Sequence, residues 1–139
     1  MGEHGVSFIG QWSSWSTTFL WTVVAFTTPV FALPLFFAPM AWARRFGWPA
    51  PHDQAGYNLA LYFGRCVGAF VLIVEGLMVH AALTGNGLVL TFQVLLAVSA
   101  LMVWVHVLGA VQRRQPWSET AEIGMYAGLG LFALLCYPG

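Results

Sequence analysis

The stretch YFGRCVGAFVLIVEGLMVH, from Tyr62 to His80, indicates the fold class of this chain. It is almost as long as the roughly 20 apolar residues that a membrane-spanning helix needs. It nevertheless carries Arg65, Glu75 and His80. An ionisable side chain at bilayer depth is costly, so each of the three needs a partner inside the protein or marks a functional site.

The composition of the whole chain indicates an integral membrane protein. Of its 139 residues, 59% are hydrophobic and only 7% are charged, whereas soluble domains are about 25% charged. So few charges cannot cover a surface in water, and the expected surrounding is the lipid bilayer. The net charge is zero and no lysine is present, which excludes the basic face that nucleic-acid binding requires.

Four apolar segments alternate with three short polar breaks. They predict an all-α fold, an integral membrane four-helix bundle formed by a single domain over residues 1–139, with spans at about 14–43, 53–83, 88–112 and 118–137. Proline disrupts helices, so we expect a bend near Pro29 and the end of the first helix near Pro39. Asp53 and Ser118 are the expected N-caps of the second and fourth helices.

The basic residues predict the orientation. Arginines occur in the first and third connections, as Arg44, Arg45, Arg113 and Arg114, whereas the TGNG turn after Leu83 has none. The positive-inside rule then places both arginine-bearing connections in the cytoplasm and both termini outside. We expect an up-down-up-down, multi-pass protein of a cytoplasmic or inner membrane.

Two pairs of small residues indicate close helix packing. Gly64 and Gly68 form one pair, and Gly124 and Gly128 form another. Such pairs let helix backbones approach closely in lipid. They fit packing within the bundle or contacts in a homo-oligomer or a larger complex.

Polar side chains from three helices are expected at one depth. With a rise of about 1.5 Å per residue, Arg65, His106 and Glu122 fall together, about 10 Å to the cytoplasmic side of the midplane. Ser99 lies seven residues before His106, and Tyr126 lies four residues after Glu122, so these residues continue two faces of the bundle interior.

This group has two interpretations. In the structural one, Arg65 pairs with Glu122 and His106 hydrogen-bonds to one of them, because buried charges must be paired. In the functional one, the three side chains form a proton-transfer or anion-recognition site that is reached from the cytoplasm.

Glu75 is expected near the midplane with no cation at its level. Its candidate neighbours are Tyr126, Ser99, Thr27 and Thr28. Burial without a cation disfavours the charged form of a carboxyl group. Glu75 is therefore a candidate general acid or base, proton relay or ligand anchor, or else a neutral side chain that hydrogen-bonds to a neighbouring helix.

Other candidates are weaker. His80 lies five residues beyond Glu75, on another face, and is expected at the interface. Trp104 is expected in the core or facing lipid, and would matter only if a ligand stacks on it. No metal-type Cys/His spacing and no nucleotide-binding motif is present, so we predict neither a metal nor a cofactor.

The stretch LFFAPMAWARRFGWPAPHDQAGYNLALYFGRCVGAFVLIVEGLMVHAAL resembles the first half of small DoxX-like membrane proteins. The resemblance is carried by Ala38-Pro39, by the corner Phe46-Gly47, and by Arg65 with Gly68-Ala69. The later run HVLGAVQRRQPWSETAEI resembles their third connection more loosely. The resemblance implies a four-helix membrane bundle and a loose association with quinone-linked or redox membrane complexes.

We therefore expect a polar pocket inside the bundle for a lipophilic small molecule, such as a quinone, isoprenoid or sterol-like compound. If the protein is an enzyme, the expected chemistry is acid/base isomerisation, cyclisation or epoxide opening. Glu75 would then exchange the proton, with Tyr126 and His106 as polarising or relay groups.

The alternative is a non-catalytic accessory subunit of a larger membrane complex. A transporter or channel would need an oligomer.

Overall fold

The computed structural model describes residues 7–139, and this part of the chain is helical, without a strand. After a single 3₁₀ turn at Ser13–Trp15, the elements in chain order are α1 (Ser16–Thr27), a π-helical turn (Thr28–Ala32), α2 (Leu33–Phe37), α3 (Pro39–Arg45), α4 (Gln54–Thr84), α5 (Leu88–Val111) and α6 (Trp117–Leu135).

Three helical segments are long and apolar enough to cross a membrane. They are Ser13–Phe37, which combines the 3₁₀ turn, α1, the π-helical turn and α2, then Gln54–Thr84 and Leu88–Val111. The fourth predicted span, α6, has 19 residues and carries Glu119 and Glu122 near its start, which makes it less apolar. That α6 crosses the membrane therefore stays a prediction.

The first helix is irregular where its prolines predict a bend, and we call its π-helical turn the bend of the first helix. The π-helical turn begins at Thr28, next to Pro29, and the helix ends at Phe37, before α3 begins at Pro39. Pro34 has no N–H, so the carbonyl of Val30 has no donor four residues ahead. The indole Nε1 of Trp42 donates to that carbonyl at 2.9 Å. α3 therefore folds back and satisfies a backbone group that the bend has freed.

The expected helix ends are largely confirmed. Asp53 caps α4 by accepting the N–H of Gly56 at 2.7 Å, and the turn before α5 uses positive φ at Gly85 (72°) and Gly87 (71°). The expectation for Ser118 is wrong. α6 begins one residue earlier, at Trp117, and the Ser118 hydroxyl donates to the carbonyl of Phe46 instead.

All four long segments contribute to one hydrophobic core. Leu20, Met78, Phe92 and Ala133 are its buried members from successive segments. This core lies near the α4–α5 turn and the end of α6. The N-terminal segment closes the same end, because the N–H of Gly10 donates to the carbonyl of Leu134 at 2.9 Å.

The two arginine-bearing connections meet at the opposite end. Gly47 of the first connection packs against Pro116 of the third. The Ser118 hydroxyl, at the start of α6, donates to the carbonyl of Phe46 in the first connection. The first and third connections therefore lie together, away from the α4–α5 turn. Which end faces the cytoplasm stays a prediction.

The two glycine pairs differ in their surroundings. A Cβ on Gly68 would lie 2.7 Å from the Cα of Phe36, and a Cβ on Gly64 would overlap Pro39. The first pair therefore lets the end of the first helix and the start of α3 rest directly on α4. Within the described part of the chain, no neighbouring residue lies within 4 Å of a Cβ built on Gly124 or Gly128.

We predict that Gly68→Ala destabilises the protein by about 1–3 kcal/mol, because the added methyl group forces backbone apart in a packed interface. Gly128→Ala is the matched control, since its methyl group meets no neighbour. Thermal or denaturant unfolding in detergent, followed by tryptophan fluorescence, measures both. Equal stability of the two variants would contradict the close approach of the first helix to α4.

Candidate functional site

His106, buried on α5, has a defined hydrogen-bonding state. Its Nδ1 lies 2.7 Å from the carbonyl oxygen of Met102, one turn earlier on the same helix. A carbonyl only accepts, so Nδ1 carries a hydrogen and donates. The other ring nitrogen, Nε2, is left to face α6.

Two buried glutamates of α6 approach that nitrogen. Glu119 and Glu122 are three residues apart, hence neighbours on one helix face. Oε2 of each lies 3.2 Å from Nε2 of His106. One ligand-type atom from each of the three residues lies within 4.8 Å of the others. We call these three residues the His–Glu cluster.

Further contacts fix the His–Glu cluster in place. The indole Nε1 of Trp48 donates to Oε1 of Glu119 at 2.9 Å. Nε2 of Gln115 donates to the carbonyl of His106 at 2.9 Å. The ring of Tyr126 lies 5.2 Å from the His106 ring, centroid to centroid. Oε1 of Glu122 is buried and has no hydrogen-bond partner among the described residues.

The charge of the His–Glu cluster requires compensation. Two ionised carboxylates beside a neutral imidazole would bury two negative charges, which is strongly unfavourable without a cation. The dipole at the N-terminal end of α6 stabilises part of this negative charge, because Glu119 lies in the first turn of that helix. The rest of the negative charge must be neutralised by protons on these side chains or by a bound cation.

The structure brings His106, Glu122 and Tyr126 together but leaves Arg65 out. Arg65 is exposed, and none of the ion pairs within residues 7–139 includes it. The predicted pair of Arg65 with Glu122 is therefore wrong. The rise per residue places side chains at a depth, but it does not fix the direction in which Arg65 leaves α4.

Glu75 is buried and hydrogen-bonded to the bend of the first helix. Thr27 Oγ1 lies 2.6 Å from Oε1 and also 2.9 Å from the carbonyl of Val23, while Thr28 Oγ1 donates to Oε2 at 3.0 Å. A hydroxyl has one hydrogen. When Thr27 donates to Val23, its oxygen can accept the hydrogen of a protonated Glu75. The network thus accommodates a neutral carboxyl group.

The remaining predicted site residues lie outside these groups. Ser99 is buried opposite Gly130 of α6, and its hydroxyl has no hydrogen-bond partner in the described chain. Trp104 is 66% exposed on α5, so it faces outward and does not line the His–Glu cluster. His80 is exposed, as expected for an interfacial residue.

Glu119 and Trp48 are members of the site that were not predicted from the sequence. Glu119 could have been found, because its spacing of three from Glu122 places both on one face of a helix. Trp48 carried no such signal. It reaches Glu119 only because the first and third connections meet in three dimensions.

Two surface grooves are apolar. One, of about 560 Å³, is lined mainly by aromatic residues of the N-terminal segment, α1 and α6. The other, of about 370 Å³, lies at the bend of the first helix beside α3. Neither groove is lined by Glu75 or by the His–Glu cluster.

Comparison with protein-family models, curated proteins and solved structures finds no match to this chain.

We predict that Trp48→Phe destabilises the protein by about 1–3 kcal/mol, since it leaves a buried carboxylate oxygen of Glu119 without a donor. Trp104→Phe changes an exposed tryptophan and should stay within about 0.5 kcal/mol of the parent. Unfolding in detergent compares the two variants. An equal effect of both would show that the contact of Trp48 with Glu119 contributes nothing.

We predict that Glu75→Gln changes the free energy of unfolding by less than about 1 kcal/mol, because an amide keeps one donor and one acceptor for the two threonines. Glu75→Ala loses both hydrogen bonds and leaves a cavity, so it should cost about 1–3 kcal/mol. If the glutamine variant is as unstable as the alanine variant, Glu75 is held as a carboxylate and the neutral network is wrong.

Proposed function

We propose that this chain is a four-pass membrane protein, with both termini outside, that binds the polar head of a lipophilic small molecule at the His–Glu cluster and exchanges a proton with it. The molecule belongs to the quinone, isoprenoid or sterol-like class. The resemblance to DoxX-like proteins makes a quinone the first choice within that class.

One observation carries the proposal: Nε2 of His106 lies 3.2 Å from carboxylate oxygens of both Glu119 and Glu122. Since Nδ1 is held as a donor to Met102, a proton gained or lost by the imidazole is gained or lost at Nε2. An imidazole between two carboxyl groups can hold a proton and pass it on.

Tyr126 provides the connection from the His–Glu cluster towards the outside of the bundle. It lies one turn beyond Glu122 on the same face of α6 and beside the His106 ring, and it is only half-buried. Its hydroxyl is a hydrogen-bond donor that suits a carbonyl or hydroxyl head group. We assign Tyr126 to orienting the head and His106 with its glutamates to the proton.

The second candidate is a non-catalytic accessory subunit of a larger membrane complex. The open faces of Gly124 and Gly128 favour it, because none of residues 7–139 fills the space beside them. A partner helix packed there would use the close approach that small residues allow. In that case the His–Glu cluster only holds α5 and α6 together.

Binding of a short-chain quinone, decylubiquinone, tests the proposed function. In nanodiscs, decylubiquinone should quench tryptophan fluorescence to a saturating level. Trp48 hydrogen-bonds to Glu119 and would therefore lie beside a quinone bound at the His–Glu cluster. His106→Gln and Glu122→Gln should each weaken binding at least about tenfold, the effect of losing one hydrogen bond to a charged group. His80→Gln, an exposed histidine on α4, is the control.

Three outcomes would overturn this proposal. The first is the absence of saturable binding for decylubiquinone, farnesol and cholesterol alike. The second is equal binding by the parent and the two cluster variants. The third is loss of binding in Glu75→Gln with retention in His106→Gln, which would place the site at Glu75.

A further inference from the structure

We propose that His106, Glu119 and Glu122 also bind one first-row divalent metal ion, of which Zn²⁺ is the reference case. The inference rests on the proposed function, because it uses the same His–Glu cluster as the reactive centre. It does not depend on the identity of the lipophilic molecule.

The distances suit ligands that share one ion. Ligands at about 2.0–2.1 Å from a tetrahedral Zn²⁺ lie roughly 3.3 Å from one another. Nε2 of His106 lies 3.2 Å from an oxygen of each glutamate. A direct charge-assisted hydrogen bond from nitrogen to a carboxylate is usually shorter, about 2.7–2.9 Å. Because Nε2 has at most one hydrogen to donate, it cannot form two full hydrogen bonds, and the two equal contacts also fit an ion shared by the three side chains.

The contacts behind the three side chains are those that orient metal ligands. A ligating histidine usually donates its second N–H to a carbonyl or carboxylate, and ligating carboxylates are themselves hydrogen-bonded. Here Nδ1 of His106 donates to the carbonyl of Met102, and Oε1 of Glu119 accepts from the indole Nε1 of Trp48. Nε2 and the facing carboxylate oxygens remain available for an ion.

Glu122 supplies an independent observation. The residue is 93% buried, as its relative exposure is 7%, yet its Oε1 has no hydrogen-bond partner among the described residues. This oxygen belongs to the carboxylate whose Oε2 faces His106. Bidentate binding of an ion by Glu122 would satisfy it. A divalent ion would also neutralise the two carboxylates, which a single shared proton does not.

The donor set indicates the kind of ion. One imidazole nitrogen with carboxylate oxygens suits Zn²⁺, Fe²⁺ or Mn²⁺ better than Mg²⁺, which prefers oxygen ligands and bound waters. If each residue binds through one atom, three protein ligands leave the fourth tetrahedral position open, as in catalytic zinc sites; if Glu122 binds through both oxygens, the open position is the fifth.

Metal titration tests the site directly. The full chain is purified in detergent with a chelator, the chelator is removed, and Co²⁺ and Zn²⁺ are added in separate titrations. We expect one ion per chain by calorimetry and visible Co²⁺ absorption bands that Zn²⁺ displaces, with Mg²⁺ producing neither. Glu122→Gln and His106→Gln should weaken binding at least about 100-fold, and Trp48→Phe about 10- to 100-fold.

His80→Gln controls for histidines outside the cluster and should leave the affinity unchanged. Tryptophan fluorescence during thermal unfolding verifies that each variant is folded. Glu122→Gln keeps the shape of the side chain, so it decides the test if His106→Gln does not fold. Absence of saturable Co²⁺ or Zn²⁺ binding, or unchanged binding in folded Glu122→Gln, would overturn the metal site.

The same preparations separate the two proposals. A protein that binds Zn²⁺ but not decylubiquinone, farnesol or cholesterol retains the metal site and loses the proposed function. A protein that binds a lipophile through the His–Glu cluster, but binds no Co²⁺ or Zn²⁺, retains the proposed function and loses the metal site.

Discussion

Polar groups inside an apolar helix assembly must find their partners within the protein, because lipid offers no hydrogen bonds. This constraint explains the contacts at the bend of the first helix. Pro34 leaves the carbonyl of Val30 without its donor, and Trp42 returns from α3 to supply one. Glu75 lies on the opposing helix and is bound by the two threonines at the same bend.

The same constraint joins the fold to the candidate site. The first and third connections meet through the hydrogen bond of Ser118 to Phe46 and through that of Trp48 to Glu119. The contacts that hold this end of the structure together therefore also orient a carboxylate beside His106. A variant in this region changes stability and site geometry together, so the proposed assays measure ligand or metal binding separately from folding.

The sequence predicted features that depend on position along the chain. Proline, Asp53 and the glycines of the TGNG turn placed the bend, a cap and a turn, and the rise per residue placed His106 and Glu122 at one level. It did not predict features that depend on direction around a helix axis. Arg65 points outward instead of towards Glu122. Trp48 contacts Glu119 only through the meeting of two connections.

Both proposals depend on one arrangement, in which His106 donates from Nδ1 to the carbonyl of Met102 and presents Nε2 to the two glutamates. The ¹⁵N chemical shifts of the histidine ring in labelled protein in lipid test it most directly, with His106→Gln used to assign the signal. We expect a protonated Nδ1 in a strong hydrogen bond, with Nε2 as the nitrogen whose signal changes when Zn²⁺ is added. A deprotonated Nδ1 in the folded protein would contradict it.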